Sequence, residues 1–298
     1  LVMVLLGVLS IALVFFLGRL LFDDRIGLVS ALLLTFSPFH LLYSQHLRVY
    51  IFLFFLSLLS LSILVLYLQR QKNIFLALFA LVSFCMFYSH VFTAFFVVAE
   101  FVAVWLLVFF KIIRLRIQPL LFTGLVIALG YLLWLPFFVQ QYHRNITEGA
   151  IRSLSLLHPL YIPYTFYKYA VGINVSAAVA QGYWFVFFAA SLLVALAGWG
   201  LLMMWKTSKR SFTLIVFTLF LPVILLALMG LFFPVYSFRY LSYLSPLFFV
   251  SVARGLIGIR NPWLRWGTLA VVVVVWFVVL GFYWSVLSDR IWNTYFAV

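Results

Sequence analysis

Negative charge is nearly absent from this sequence: 298 residues carry five Asp and Glu against nineteen Lys and Arg, and charged residues make up only 8%. Soluble globular chains devote about a quarter of their residues to charge, so that class is excluded. Cysteine is almost missing too. The single Cys85 sits inside an apolar run, which excludes a disulfide framework and a thiolate metal site. No glycine-rich phosphate loop, internal repeat or low-complexity tract is present, so a cytosolic nucleotide-sugar or ATP site has no support. Energy or substrate must then come from something already activated in the lipid phase, or from a gradient.

What fills the sequence is hydrocarbon. Hydrophobic residues account for 68%, aromatic ones for 21%, and the mean hydropathy is +1.26. These values predict an all-α fold, a polytopic transmembrane helical bundle forming one domain over residues 1–298. The net charge of +14 would suggest nucleic acid in a soluble protein. Here the cations sit in short clusters between apolar runs, where they orient spans in a bilayer; the expected partners are membrane lipids and no nucleic acid.

A span needs about 20 apolar residues, and ten segments qualify approximately: 1–21, 26–43, 49–68, 74–90, 91–111, 119–139, 183–205, 211–233, 240–256 and 264–287. Alternating the connections between two sides puts thirteen of the nineteen cations on one of them: Arg19, Arg25, Arg70, Lys72, Lys111, Arg114, Arg116, Lys206, Lys209, Arg210, Arg254, Arg260 and Arg265. The positive-inside tendency makes that side cytoplasmic. All five histidines, His40, His46, His90, His143 and His158, fall at or near the other face. Residues 140–182 form the longest non-spanning stretch, rich in tyrosine. They are expected as an extracytoplasmic loop with interfacial helices, a lid or ledge. The chain is apolar from Leu1, without a charged leader, and is expected to be a piece of something longer.

Polar chemistry concentrates where apolar segments meet on the outer side. The stretch Ser37 to Tyr50, SPFHLLYSQHLRVY, gathers His40, Tyr43, His46, Arg48 and Tyr50. On a continuous helix His46 and Tyr50 share a face, and Arg48 points about 160° away from His46. The arginine reads either as a bidentate phosphate contact helped by Tyr50 and His46, or as a cation snorkelling to the headgroups. A second cluster, PVYSFRYLSYLSP, sets Arg239 among Tyr236, Tyr240 and Tyr243 and allows the same two readings. Two such arginines could clamp one lipid phosphate. His90, in FYSHVF, would bind a sugar hydroxyl, ligate a metal or be structural. Glu100 lies about 15 Å along the helix from His90, too far for both to share a metal. No cofactor is indicated, and a divalent metal is allowed without being demanded by any spacing.

Several of these motifs resemble the GT-C type membrane glycosyltransferases, in particular the bacterial relatives of protein O-mannosyltransferases (glycosyltransferase family 39-like). GRLLFDDRIGLVSALLLTFSPFHLLYSQHLRVY (Gly18 to Tyr50) is similar to that family's stretch from its second span to its first conserved arginine. YSHVF (Tyr88 to Phe92) is similar to its threonine-histidine-tyrosine turn, YTFYKYAVGINVSA (Tyr164 to Ala177) to its outer-loop helix, and FRYLSYLSPLF (Phe238 to Phe248) to its late arginine-tyrosine. His46 stands where the family usually has an acid. The family's catalytic aspartate belongs to a first outer loop preceding everything in this sequence, so the resemblance implies a chain without its first span and catalytic base.

The resemblance also implies a reaction: transfer of a sugar from a polyprenyl-phosphate donor to a hydroxyl of a glycan, lipid or protein acceptor, on the extracytoplasmic side of the inner cell membrane. Arg48, Tyr50, Arg239 and Tyr240 would bind the donor phosphate, with Lys168, His46 and His90 as further contacts. A transporter or lipid flippase is one alternative, although no inverted repeat supports it. A non-catalytic binder of lipid-linked sugars is the other.

Overall fold

The computed structural model describes residues 1–45, 48–137, 139–140, 160–172, 182–233 and 235–295 of the chain. Among them all regular structure is helical. The order is α1 (Val2–Leu21), α2 (Asp24–Phe36), α3 (Pro38–Gln45), α4 (Tyr50–Arg70), α5 (Asn73–Ser89), a 3-10 turn (Val91–Thr93) running into α6 (Ala94–Phe109), and α7 (Ile117–Leu132). Then come α8 (Tyr161–Val171), α9 (Phe185–Thr207), α10 (Lys209–Gly230), a 3-10 segment (Phe238–Leu244) leading into α11 (Ser245–Ile257), and α12 (Pro262–Tyr295). Seven of these helical stretches are long and apolar enough to cross a membrane; α2 with α3 makes an eighth, and α5 and α7 are shorter apolar helices. The chain is an all-α polytopic bundle, as its composition predicts.

Hydrocarbon offers no hydrogen bonds, so the backbone closes its own and the few hydroxyls must do likewise. They fold back onto the preceding turn: Ser10 Oγ donates to Leu6 O, Ser30 to Ile26 O, Ser83 to Phe79 O and Thr218 to Leu214 O, at 2.6 to 2.8 Å. Helix starts are capped where water-facing residues allow it. The Asp23 carboxylate accepts from Ile26 N at 2.9 Å, and Ser208 Oγ from Ser211 N at 3.2 Å. Glu100 is wholly buried on α6, where Ser60 Oγ of α4 lies 2.9 and 3.0 Å from its two oxygens.

Two expectations from sequence need correction. Residues 26–43 do not form one straight span, because α2 and α3 meet at an angle of 61°. Pro38 is the cause: a residue before proline is pushed out of the α region, and Ser37 is extended at φ −61°, ψ 120°. The second concerns Arg48, expected in helical register with Tyr50: α4 begins only at Tyr50, and Arg48 sits in a bend ahead of it. The face expected to be shared by His46 and Tyr50 falls on His46, which lies outside the described residues.

Side-chain ties between connections sort them into two ends. At one, Gln69 Nε2 donates to Leu20 O, Ser211 Oγ to Leu21 O, Gln71 Nε2 to Arg114 O, and the Arg254 guanidinium to Thr207 Oγ1. This is the cation-rich end. At the other, Tyr243 Oη donates to Phe92 O, Tyr169 Oη to Leu241 O, and Thr165 shares a hydrogen bond with Tyr236. The spans α4 and the 3-10 segment with α11 form the centre, 78% and 83% buried over their apolar windows, whereas the apolar part of α12, Pro262–Gly281, is 17% buried.

Close backbone approach holds α9 to α11. A Cβ built on Gly200 would fall 1.9 Å from Ser251 O, and one on Gly255 would fall 2.0 Å from Leu196 O. Without a hydrophobic drive between helices in lipid, such small-residue contacts carry much of the packing. Gly200→Ala and Gly255→Ala should therefore each lower the unfolding temperature in detergent, at a cost of about 1–3 kcal/mol or more. Gly198, with nothing within 4 Å of its Cβ position, is the control, and Gly198→Ala should leave melting unchanged or slightly raised.

Candidate functional site

The end opposite the cation-rich one is organised by α8. Its last turn is sealed into the bundle: Tyr169, Ala170 and Val171 are fully buried, and Trp276 Nε1 of α12 donates to Ala170 O at 2.7 Å. The helix stops at Gly172, whose φ of +78° lies in the left-handed region that favours glycine. Gly172 also presses on the start of α3. A Cβ there would sit 3.0 Å from Phe39 N and 3.1 Å from Pro38 Cβ.

This turn holds Lys168, which is only 6% exposed and whose Nζ donates to the Gly172 carbonyl. The ammonium also stands 5.1 Å from the centroid of the Phe238 ring. On the same ring, the Arg239 guanidinium carbon lies 5.9 Å from the centroid. Two cations therefore converge on one aromatic ring. Burial first, and then the Arg239 charge, push the Lys168 ammonium down from the usual 10.5 to about 8. Tyr164 meets Phe238 edge-on at 5.7 Å; burial raises its hydroxyl pKa and Arg239 pulls it part of the way back.

Tyr240 extends this cluster towards two other elements. Its ring is 4.9 Å from His90 and 5.3 Å from Phe92, and it lies within electrostatic reach of both Arg239 and Tyr50. Burial lowers the His90 pKa, so the imidazole is neutral near pH 7, and its Nδ1 has no hydrogen-bond partner among the described residues. Tyr50 opens α4 and packs edge-on against Tyr43 at 5.2 Å. Arg48, two residues earlier, is exposed at the same end.

The structure thus brings Lys168, Arg239, Tyr240, His90 and Tyr50 into one contiguous cluster and places Arg48 at its edge. His40 is not part of it: it is buried in α3, with neither ring nitrogen hydrogen-bonded among the described residues. His46, His143 and His158 lie outside the described residues. Among the described residues no three His, Cys, Asp or Glu side chains gather as metal ligands.

Residues 1–135, the region from α1 through α7, match the family model described as dolichyl-phosphate-mannose-protein mannosyltransferase. Over that region the chain is GT-C-like. No curated protein matches it. The match supports a multi-pass membrane glycosyltransferase of mannosyltransferase type in general, with a lipid-linked sugar donor and an acceptor. It takes in Arg48, Tyr50 and His90, while Lys168, Arg239 and Tyr240 lie beyond it.

Sequence reasoning missed Phe238 and Tyr164. An i, i+4 spacing puts Tyr164 and Lys168 on one helix face, and Phe238 adjoins Arg239, but nothing local says that these two pairs meet across the fold. The Gly172 turn fixes their meeting. Gly172→Ala combines positive φ with contact on the α3 backbone, so it should cost about 1–3 kcal/mol in an SDS titration from mixed micelles.

Proposed function

We propose that this GT-C-like chain moves a sugar from a polyprenyl-phosphate donor to an acceptor hydroxyl, with the donor phosphate docked between Lys168 and Arg239. The observation that carries the reading is the convergence of two like charges on the Phe238 ring. Burying the Lys168 ammonium near a second cation is unfavourable, and a phosphate arriving beside it and the exposed Arg239 offsets that repulsion with charge-assisted hydrogen bonds. Tyr240 and Tyr50 offer hydroxyls beside it, and Arg48 adds a third cation from the edge.

In the reaction, the acceptor oxygen forms the new bond to the anomeric carbon. The bond from that carbon to the phosphate oxygen breaks, its electron pair passes to the phosphate, and the departing phosphate monoester takes up the proton released by the acceptor hydroxyl. Arg239 and Lys168 stabilise the charge that collects on the leaving phosphate, a contribution that grows where water is thin. Neutral His90, beside Tyr240, is placed to hydrogen-bond a sugar hydroxyl. Apolar surfaces between helices take the polyprenyl tail. The charge asymmetry between the two ends supports an extracytoplasmic site in the inner cell membrane.

Transfer from a panel of polyprenyl-phosphate sugars, measured in proteoliposomes, tests this. Arg239→Ala should lower turnover about 100-fold, in the range seen when one charge-stabilising donor is lost, and Arg48→Ala should lower it as well. Unchanged turnover in both variants would remove the phosphate-clamp role.

Lys168 adds a pH signature. Its folded pKa of about 8 lies below the usual 10.5, so between these values the unfolded chain binds more protons and stability rises with pH. Donor affinity follows the opposite course, because phosphate needs the charged ammonium. The donor Kd should climb as pH passes about 8, while Lys168→Met, uncharged throughout, should bind weakly with a flat profile.

A further inference from the structure

The cation-rich end holds a cavity of about 390 Å³, lined by Tyr67, Gln71, Lys72, Asn73, Arg116 and Pro119. It lies where the end of α4 meets the starts of α5 and α7. Lys72 is the residue before α5 and Arg116 the residue before α7, and neither helix start has a side-chain cap. Backbone N–H groups of two first turns, with the positive ends of two helix dipoles, therefore border a space already lined by two cations.

The acids at this end are committed elsewhere. Asp23 caps α2, and Asp24 pairs with Arg19 at 2.8 Å, the only ion pair among the described residues. Tyr67, 2% exposed as a residue, also lines the cavity and brings a hydroxyl to its wall. Gln71 helps hold the walls in place by donating its amide to Arg114 O at 3.2 Å, which ties the end of α4 to the segment leading into Arg116.

We propose that this cavity binds the phosphate headgroup of an anionic phospholipid. Two cations, a tyrosine hydroxyl and uncapped N–H groups suit a phosphate oxygen set. The apolar surroundings favour a lipid over a free ion: Ile74 on α5 and Leu121 and Phe122 on α7, all exposed, continue from the cavity along the bundle exterior and offer a bed for acyl chains. The site lies at the other end of the molecule from Lys168 and Arg239 and does not depend on the reading of that cluster.

The test uses the full chain, delipidated in neutral detergent and titrated with short-chain phosphatidylglycerol, short-chain phosphatidylcholine or inorganic phosphate, with melting temperature and native mass spectrometry as readouts. Phosphatidylglycerol should bind, raise the melting temperature and remain attached, while phosphatidylcholine should do neither. Replacing the two exposed cations (Lys72→Gln with Arg116→Gln) should weaken that binding about tenfold or more, and Tyr67→Phe should weaken it several-fold, as expected for loss of hydrogen bonds to a charged group. A control pair at the same end but away from the cavity, Lys206→Gln with Arg260→Gln, should change it less than twofold. The proposal is overturned by equal binding of the two lipids, by no loss in the Lys72 and Arg116 variant, or by equal loss in the control. Displacement by inorganic phosphate at matching affinity would assign the cavity to a free anion and overturn the lipid assignment.

Discussion

Removing water from around a charge is the dominant cost in this molecule, and the fold can be understood as a way of confining charge to two ends. Between them many polar atoms are answered nearby: hydroxyls such as those of Ser10, Ser30 and Ser83 bond back one turn, and the buried Glu100 is met by Ser60. What remains charged is pushed outward, yet not symmetrically. The cation-rich end spreads its charge over short connections. The opposite end sets the buried Lys168 and the exposed Arg239 against one ring. That pairing of a buried with an exposed cation gives the end its chemical character.

Much of the architecture was legible before any coordinates, because span length and apolar runs are dictated by bilayer thickness and little else. All ten segments reappear as helices. Boundaries failed where a local rule outweighed hydropathy. Pro38 breaks a segment whose composition is continuously apolar, and the late span opens as a 3-10 segment from Phe238 to Leu244 before becoming α-helical. The helical register assumed for Arg48 shows the same limit, because α4 starts only at Tyr50.

The candidate site was less legible. Arg48, Tyr50, His90, Arg239 and Tyr240 could be named because polar residues stand out against a hydrophobic background. Their geometry could not, since the contacts that assemble it join residues far apart in the chain. Tyr169 on α8 reaches Leu241, and Tyr243 reaches back to Phe92. The pairing of Lys168 with Arg239 through Phe238 depends on how α8 packs, and α8 is placed by its buried last turn. A tyrosine-rich stretch suggests an interfacial ledge, but the helix is let into the bundle and fastened by Trp276.

The fit between Gly172 and the start of α3 is so close that even one methyl group would have to push its neighbours aside. Two segments so closely engaged behave as meshed gears. Any rotation of α3 about the bend at Ser37 must carry the end of α8 with it, and with that end the ammonium of Lys168. Conversely, whatever tightens around that ammonium will be felt as torque at the proline, on the far side of the Gly172 contact.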